Sequence, residues 1–352
     1  AWIKQFKLRA SMGYTGTQNV DPSQSRARYE YYDYVYGDKI GAQLVALPND
    51  KLKWQRNMDY NLGVDVTLKR FLTLRADYYI QRTDDLLSNI SLPPSTGFLT
   101  YTENLGKIEN RGYELAVSVT PWRDDERQAY VTLSATALHN KNKIKKIYDI
   151  FKNSNDEQNS SLDGSYDYND GQPGDTEVLE KYLNKFTKPA TLYYEGCSMT
   201  AIWGVRSLGI DPATGQEMFL TKDGRSTYTW SSADQVVIGD TSPKMSGTLN
   251  LNAGYKGFTF SASCSYKFGG DLYNSELVAR MENINGQSNL DRRLFKAWQK
   301  VGDVAPYKVT VISSGSTNYT KPTSRFVQKN NELYISSVNV GYDFAGAAWL
   351  KK

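Results

Sequence analysis

Adjacent carboxylates are the first residues in this chain with the types for acid–base chemistry: Asp84-Asp85 and Asp124-Asp125-Glu126. Both groups lie in loop or turn sequence, where acidic side chains keep a rim soluble. A general base is most often a placed histidine, and the chain has one, His139. There is no HExxH, no Walker loop and no GxGxxG ahead of a helix. We expect no catalytic residue and no enzyme. Oxygen-rich metal chemistry has one candidate, Asp163–Asp175 (DGSYDYNDGQPGD), whose four Asp lack the spacing and terminal Glu of an EF-hand. It reads as a solvated loop, and we expect no metal and no cofactor. Asp211-Pro212-Ala213-Thr214-Gly215 reads as a hairpin turn that Asp211 caps.

Binding chemistry is better represented. The run Tyr29–Tyr36 (YEYYDYVY) offers aromatic faces that stack on sugar rings or pack against a protein, or on one another above extended strands. Tyr31, Tyr34, Trp203 and Trp230 are the candidate contacts with substrate or partner. Five charges, Arg9, Asp65, Arg75, Asp77 and Glu114, stand in mid-stretch on the polar side of alternating sequence. Glu109-Asn110-Arg111-Gly112 reads in two ways. It is a polar cluster with Arg111 and Glu114 facing a lumen, or a strand entry whose glycine permits a bulge or close approach.

The elements that hold these residues announce themselves by period. Met58, Tyr60, Leu62, Val64, Val66 and Leu68 alternate with Asn57, Asp59, Asn61, Gly63, Asp65 and Thr67. After Lys69-Arg70-Phe71 the alternation resumes through Leu72, Leu74, Ala76, Tyr78 and Ile80. A strict period of two marks a strand with one apolar and one wet face. The same test predicts strands over about 3–16, 54–68, 72–81, 107–120, 129–141, 245–255, 258–268 and 333–344, the last with Tyr334, Val338, Val340, Tyr342 and Phe344 on the apolar face. Soluble strands average about 5–6 residues; these are twice as long. A charge on a lipid-facing position costs about 2–4 kcal/mol for Arg at mid-membrane. The five mid-strand charges therefore face a wet or protein-filled lumen.

Composition agrees without deciding. The 352 residues have mean hydropathy −0.58, 13% aromatic residues and 26 Tyr. No apolar run is long enough for a transmembrane helix, but a barrel exposes only every second residue to lipid. The net charge of +4 arises from 42 basic and 38 acidic residues, interspersed, which leaves no nucleic-acid footprint. Two cysteines, Cys197 and Cys264, make no disulfide framework. The chain opens on strand sequence at Ile3 without a signal peptide and is expected to be part of a longer protein.

Connections sort the two ends. Short ones fall at Lys69–Phe71, Pro121–Gln128 and Lys256-Gly257, with Trp122, Tyr255 and Phe258 beside them as an aromatic girdle. Long ones run over about 17–53, 82–106, 142–244 and 269–332, all at the other end. Short periplasmic turns and long extracellular loops are the signature of an outer-membrane β-barrel.

Several stretches then resemble the C-terminal barrel region of the SusC/RagA-like TonB-dependent transporters of Bacteroidetes. They are Asp77–Leu87 (DYYIQRTDDLL), Leu92–Phe98 (LPPSTGF), Glu103–Leu115 (ENLGKIENRGYEL), Ser207–Leu220 (SLGIDPATGQEMFL), Gly239–Gly247 (GDTSPKMSG), Tyr255–Phe258 (YKGF) and Ser324–Tyr342 (SRFVQKNNELYISSVNVGY). The resemblance implies an all-β chain supplying about eight of about 22 antiparallel transmembrane strands. A plug and a TonB contact would lie in an N-terminal region outside this chain, and the last strands beyond its end. A SusD-like lipoprotein would lid the barrel in the outer membrane over an oligosaccharide or peptide substrate. The rival readings are a passive porin-like barrel and a soluble all-β carbohydrate-binding domain.

Overall fold

In the computed structural model, eight strands form one antiparallel sheet that is not closed into a barrel by this chain. The structure describes residues 2–17, 26–37, 39–69, 71–92, 97–98, 100–163, 187–284, 291–309 and 320–344. The strands are β1 (Ile3–Thr17), β2 (Arg28–Tyr36), β3 (Lys39–Ala46), β4 (Gln55–Leu68), β5 (Leu72–Ser91), β6 (Thr100–Asp124) and β7 (Ala129–Ile147). After helix α1 (Asp149–Asp163) come β8 (Ala201–Gly204), β9 (Arg206–Ile210), β10 (Glu217–Leu220), β11 (Ser226–Thr227) and β12 (Val236–Asp240). β13 (Met245–Tyr255), β14 (Phe258–Tyr273), helix α2 (Ser275–Met281) and β15 (Val327–Tyr342) complete the strands and α-helices of the described residues. The large sheet has the order β1-β4-β5-β6-β7-β13-β14-β15.

Register keeps the two faces apart. One row runs Phe6–Val66–Leu74–Val117–Ala135–Leu249–Cys264–Ile335 across all eight strands. The neighbouring polar row begins Lys7–Asp65–Arg75–Ala116. The apolar face is exposed in this chain, with Leu8 68% and Val340 76% accessible, as a band that lipid covers should be. On β6 the band runs from Tyr113 to Trp122, matching the roughly 9–11 residues of a tilted membrane strand.

Two bulges adjust it. Val119 pairs with Leu133 and Trp122 with Val131, so Thr120 and Pro121 together face Thr132. Proline has no N–H to give the ladder, which suits a bulge. The extra residue turns Trp122 onto the apolar face, where it stacks on Tyr255 at 6.4 Å. On β15, Ser337 pairs with Ser263 but Ile335 with Cys264, leaving Ser336 extra. Tyr334 consequently pairs with Ser265 on the polar face, and Ile335 and Leu333 take the apolar side. The expectation that Tyr334 faces outward is corrected, because strict alternation does not survive a bulge.

The short-turn end matches its expected place. Lys256 and Gly257 both have positive φ, the two-residue turn that fits strand twist. Lys69 lies over the Trp2 ring and Lys256 over Tyr255, while Phe258 packs on Tyr342 at 4.5 Å.

The long-loop end needs larger corrections. The expected loop 82–106 is mostly ladder, since β5 and β6 continue to Ser91 and back from Thr100. The excursion 17–53 contains the hairpin β2–β3, and 142–244 contains the end of β7, helix α1 and two small sheets. Within 269–332, β14 extends to Tyr273, α2 follows, and β15 begins at Val327. These extensions carry no two-residue period because neither face meets the hydrocarbon core there. The buried apolar core sits at this end too. One cluster gathers Ile90, Leu105, Ile108, Ile144, Ile147 and Phe151 under α1, and a second joins Leu277, Val278, Met281 and Phe326. Asn104, buried next to Leu105 of the first cluster, is fully engaged with Lys53 and Asp85 backbone groups.

Candidate functional site: the inner face and the cap above it

Four of the five mid-strand charges meet in one cluster on the polar face. Arg9, Gly63 and Asp77 are directly opposite one another on β1, β4 and β5. The Arg9 guanidinium donates to both carboxylate oxygens of Asp65 at 2.9 Å. It also crosses Gly63 to donate to Asp77 Oδ2 at 2.9 Å, where Arg75 Nε donates as well at 3.0 Å. A Cβ at position 63 would overlap the Asp77 carboxylate and the guanidinium. Glycine is the residue that lets a charge reach across a strand. Two cations and two anions balance, so the wall is polar yet locally neutral. The fifth charge, Glu114, lies opposite Asp77 on β6, exposed and without an ion pair among the described residues.

Gly112 does the same for an aromatic. Tyr79 OH donates across it to Asn140 Oδ1 at 3.2 Å, the close approach that the sequence allowed. Arg111 does not join the inner face. It pairs with Ile80 and points outward, its Nε donating to Glu109 Oε1 at 2.7 Å. This corrects the lumen reading of Arg111, and the reason is parity: it stands two residues from outward-facing Tyr113.

The four candidate aromatics do not form one site. Tyr31 is exposed on β2 opposite Ala42, and Tyr34 lies in the same strand of this separate hairpin. Trp230 Nε1 donates to Pro322 O at 3.0 Å and Lys321 lies over its ring, so it fastens two cap segments together. Trp203, on β8, is different. It packs on Tyr194 at 4.8 Å and walls a cavity of about 420 Å³ with Asn159, Leu192, Gln235 and Val236. Its indole N–H and the Gln235 side-chain oxygen are buried without protein partners. Those two atoms are themselves covered, so the wall a ligand would meet is formed by Trp203, Tyr194, Leu192 and Val236 beside the polar side chains of Asn159, Lys222 and Ser232.

The cap holding that cavity is tied by a residue that the sequence reading passed over. Arg325 uses all five N–H donors. Nε and Nη2 bond Glu217, Nη1 and Nη2 bond Glu282, and Nη1 also reaches Pro306 O, each at 2.7–2.9 Å. Thr323 and Thr320 hydroxyls donate to the same two carboxylates. Burial by itself would raise the Glu282 carboxyl, but Arg325 and Lys308 hold it below the ordinary range. The only sign in the sequence was the Ser324-Arg325-Phe326 start of one resembling stretch. Asp211 caps its turn as expected, accepting from Ala213 N, Thr214 Oγ1 and Tyr228 OH, and Trp298 closes over Gly215. Among the described residues no group of three His, Cys, Asp or Glu is placed to hold a metal. Residues 164–175 of the acidic stretch lie outside the described residues.

Comparison with known proteins gives these features a setting. Residues 1–287 match the family model described as TonB dependent receptor-like, beta-barrel. The chain is similar to the TonB-dependent receptor P3 of Formosa agariphila, 28% identical over 353 residues, covering 97% of this chain and 32% of that protein. It is also similar to the TonB-dependent receptor SusC of Bacteroides thetaiotaomicron, 32% identical over 127 residues, covering 34% of this chain and 13% of that protein. The fold resembles the RagAB peptide transporter structure, with TM-score 0.72, 19% identity, and coverage of 97% of this chain and 34% of that one. The chain thus spans about a third of the length of the curated relatives P3 and P39 of Formosa agariphila.

Proposed function

Because this chain belongs to the TonB dependent receptor-like β-barrel family, we propose that it forms eight consecutive wall strands of a nutrient importer energised through TonB. It resides in the outer membrane, like its SusC and RagA-like relatives. The observation that carries the reading is the division of the molecule at the ends of its strands. Below lies an apolar band between aromatic rims; above stands a folded cap with its own buried cores. Long extracellular loops occur on passive pores too; the match of residues 1–287 to the TonB dependent receptor-like family is what favours the energised importer. In this reading the short turns are periplasmic and the cap is extracellular. The cap and the β2–β3 hairpin receive a SusD-like lipoprotein, and the cap cavity lies on the route of an oligosaccharide or peptide. The charged inner wall around Arg9 faces the plug carried elsewhere in the whole protein. No covalent step is required of these residues.

The test is uptake of oligosaccharides and peptides by cells carrying the full-length protein, with and without TonB. Uptake that disappears without TonB, and a lipoprotein that copurifies with the full-length protein, are the expected results. Uptake that persists without TonB would identify a passive pore instead.

A further inference from the structure

Five cations stand on the outward, lipid-side face of the sheet, where neither substrate nor plug can reach them. The last outward row of the apolar band at the cap end on β5–β7 is Tyr78–Tyr113–His139, with Tyr113 stacked on His139 at 4.9 Å. The next outward row is Ile80–Arg111–Lys141, and the one above it Arg82–Glu109–Lys143. Lys145, set by a bulge between Lys107 and Ile108 pairing, adds a fifth cation.

The carboxylate among them is already spent. Glu109 is 5% exposed and accepts Arg82, Arg111 and Lys145 at 3.0, 2.7 and 2.9 Å. It gathers and orients those three cations while their side chains remain about half exposed. Lys141 and Lys143 are exposed and have no ion-pair partner among the described residues. Beside them opens a cleft of about 460 Å³ between β7 and the start of β13, lined by His139, Lys141, Lys143, Lys244, Asp240 and Asp271; Asp240 Oδ1 accepts from Thr200 Oγ1 and Ser242 N. Asp271 is held by Lys329 at 2.6 Å.

Height decides what such a patch meets. Successive outward rows are about 7 Å apart along a strand, so with a tilt near 45° they rise about 5 Å each. The headgroup layer extends about 5–8 Å beyond the hydrocarbon on each side. The backbone of the first row therefore lies within the headgroups and that of the second just above them, close enough for long Arg and Lys side chains to reach back down to the phosphates. We propose that Arg82, Arg111, Lys141, Lys143 and Lys145 form a binding site for the phosphate-bearing headgroup of an outer-leaflet lipid. Clustered cations at this depth attract anionic headgroups, and guanidinium forks match phosphate oxygens. The apolar band below supplies the surface for the acyl chains. The site rests on the extracellular placement of the cap proposed above.

The experiment compares full-length protein with the variant K141E/K143E, purified from outer membranes in mild detergent. A control variant, K69E/K256E, changes two cations at the opposite rim. Folded, heat-modifiable migration on gels is required of all three. Bound lipid is read by native mass spectrometry after adding phosphorylated lipid A or its dephosphorylated form. The expected result is phosphate-dependent binding that K141E/K143E weakens more than about tenfold and the control leaves unchanged. Equal binding by wild type and K141E/K143E overturns the site. Displacement by inorganic phosphate alone overturns it in favour of a free-anion site. Preference for phosphatidylglycerol micelles over lipid A overturns the outer-leaflet placement, and so marks a failure of sidedness, which the TonB-dependent uptake assay does not measure.

Discussion

Arg325 is where single side chains matter most for the cap. Its side chain is 12% exposed and its partners Glu217 and Glu282 are 5% and 0% exposed. Removing one member of a buried ionic group leaves the others uncompensated, at a cost of about 3–5 kcal/mol. Arg325→Met is therefore expected to loosen the cap. Hydrogen exchange should quicken across β8–β12 and α2 while the membrane strands of β4–β7 keep their protection. Acid should act through the same group. Glu282 has a lowered folded pKa, so its contribution is complete above the unfolded carboxylate value of about 4.3 and is lost as pH falls below that. Cap protection should be flat from pH 7 to about 5 and then decline, with the decline shallower in Glu282→Gln. A decline equally steep in that variant would assign the acid sensitivity to other carboxylates.

At the scale of the element, the bulges decide which side chains meet lipid. In a background with Cys197 and Cys264 replaced by Ser, a cysteine at 334 should react with a hydrophilic maleimide. A cysteine at 335 should be protected, because Ile335 shares a row with Cys264 and Leu249. Unbroken alternation from Val338 predicts the reverse labelling. Away from bulges the two-residue rule should hold on its own. Leu62→Arg or Val117→Arg places charge in the band at about 2–4 kcal/mol and should reduce the yield of folded barrel. Asn61→Arg and Ser118→Arg, on the wet face, should not.

For the whole molecule the question is which end faces outward. An epitope inserted in the exposed turn Lys222–Arg225 of the cap should be reached by antibody on intact cells. One inserted at Asp125–Arg127, between β6 and β7, should be reached only after the membrane is opened. Replacing the β2–β3 hairpin of the full-length protein by a short linker should weaken lipoprotein copurification, since among the described residues that hairpin pairs with no other strand. Unchanged copurification and growth would leave the hairpin no partner role.

The period of two, the polarity of its faces and the length of the gaps are local properties, and they were sufficient for eight strands, their pairing direction and the two ends. The mid-strand charges were legible for the same reason, since lipid forbids them and a lumen does not. Strand ends beyond the hydrocarbon core were not legible: residues 82–91 and 100–106 have no face against acyl chains, so nothing imposes alternation on them. Nor did alternation reveal the extra residues at Pro121 and Ser336, which turn Trp122 outward and Tyr334 inward. Contacts between distant residues belong to tertiary structure alone. Arg9 reaches Asp77 from 68 residues away over Gly63, and Arg325 reaches Glu217 from 108 residues away. Neither spacing repeats along the chain. Only the sheet register and the folded cap bring these charges within hydrogen-bonding distance, and only burial makes their pairing count.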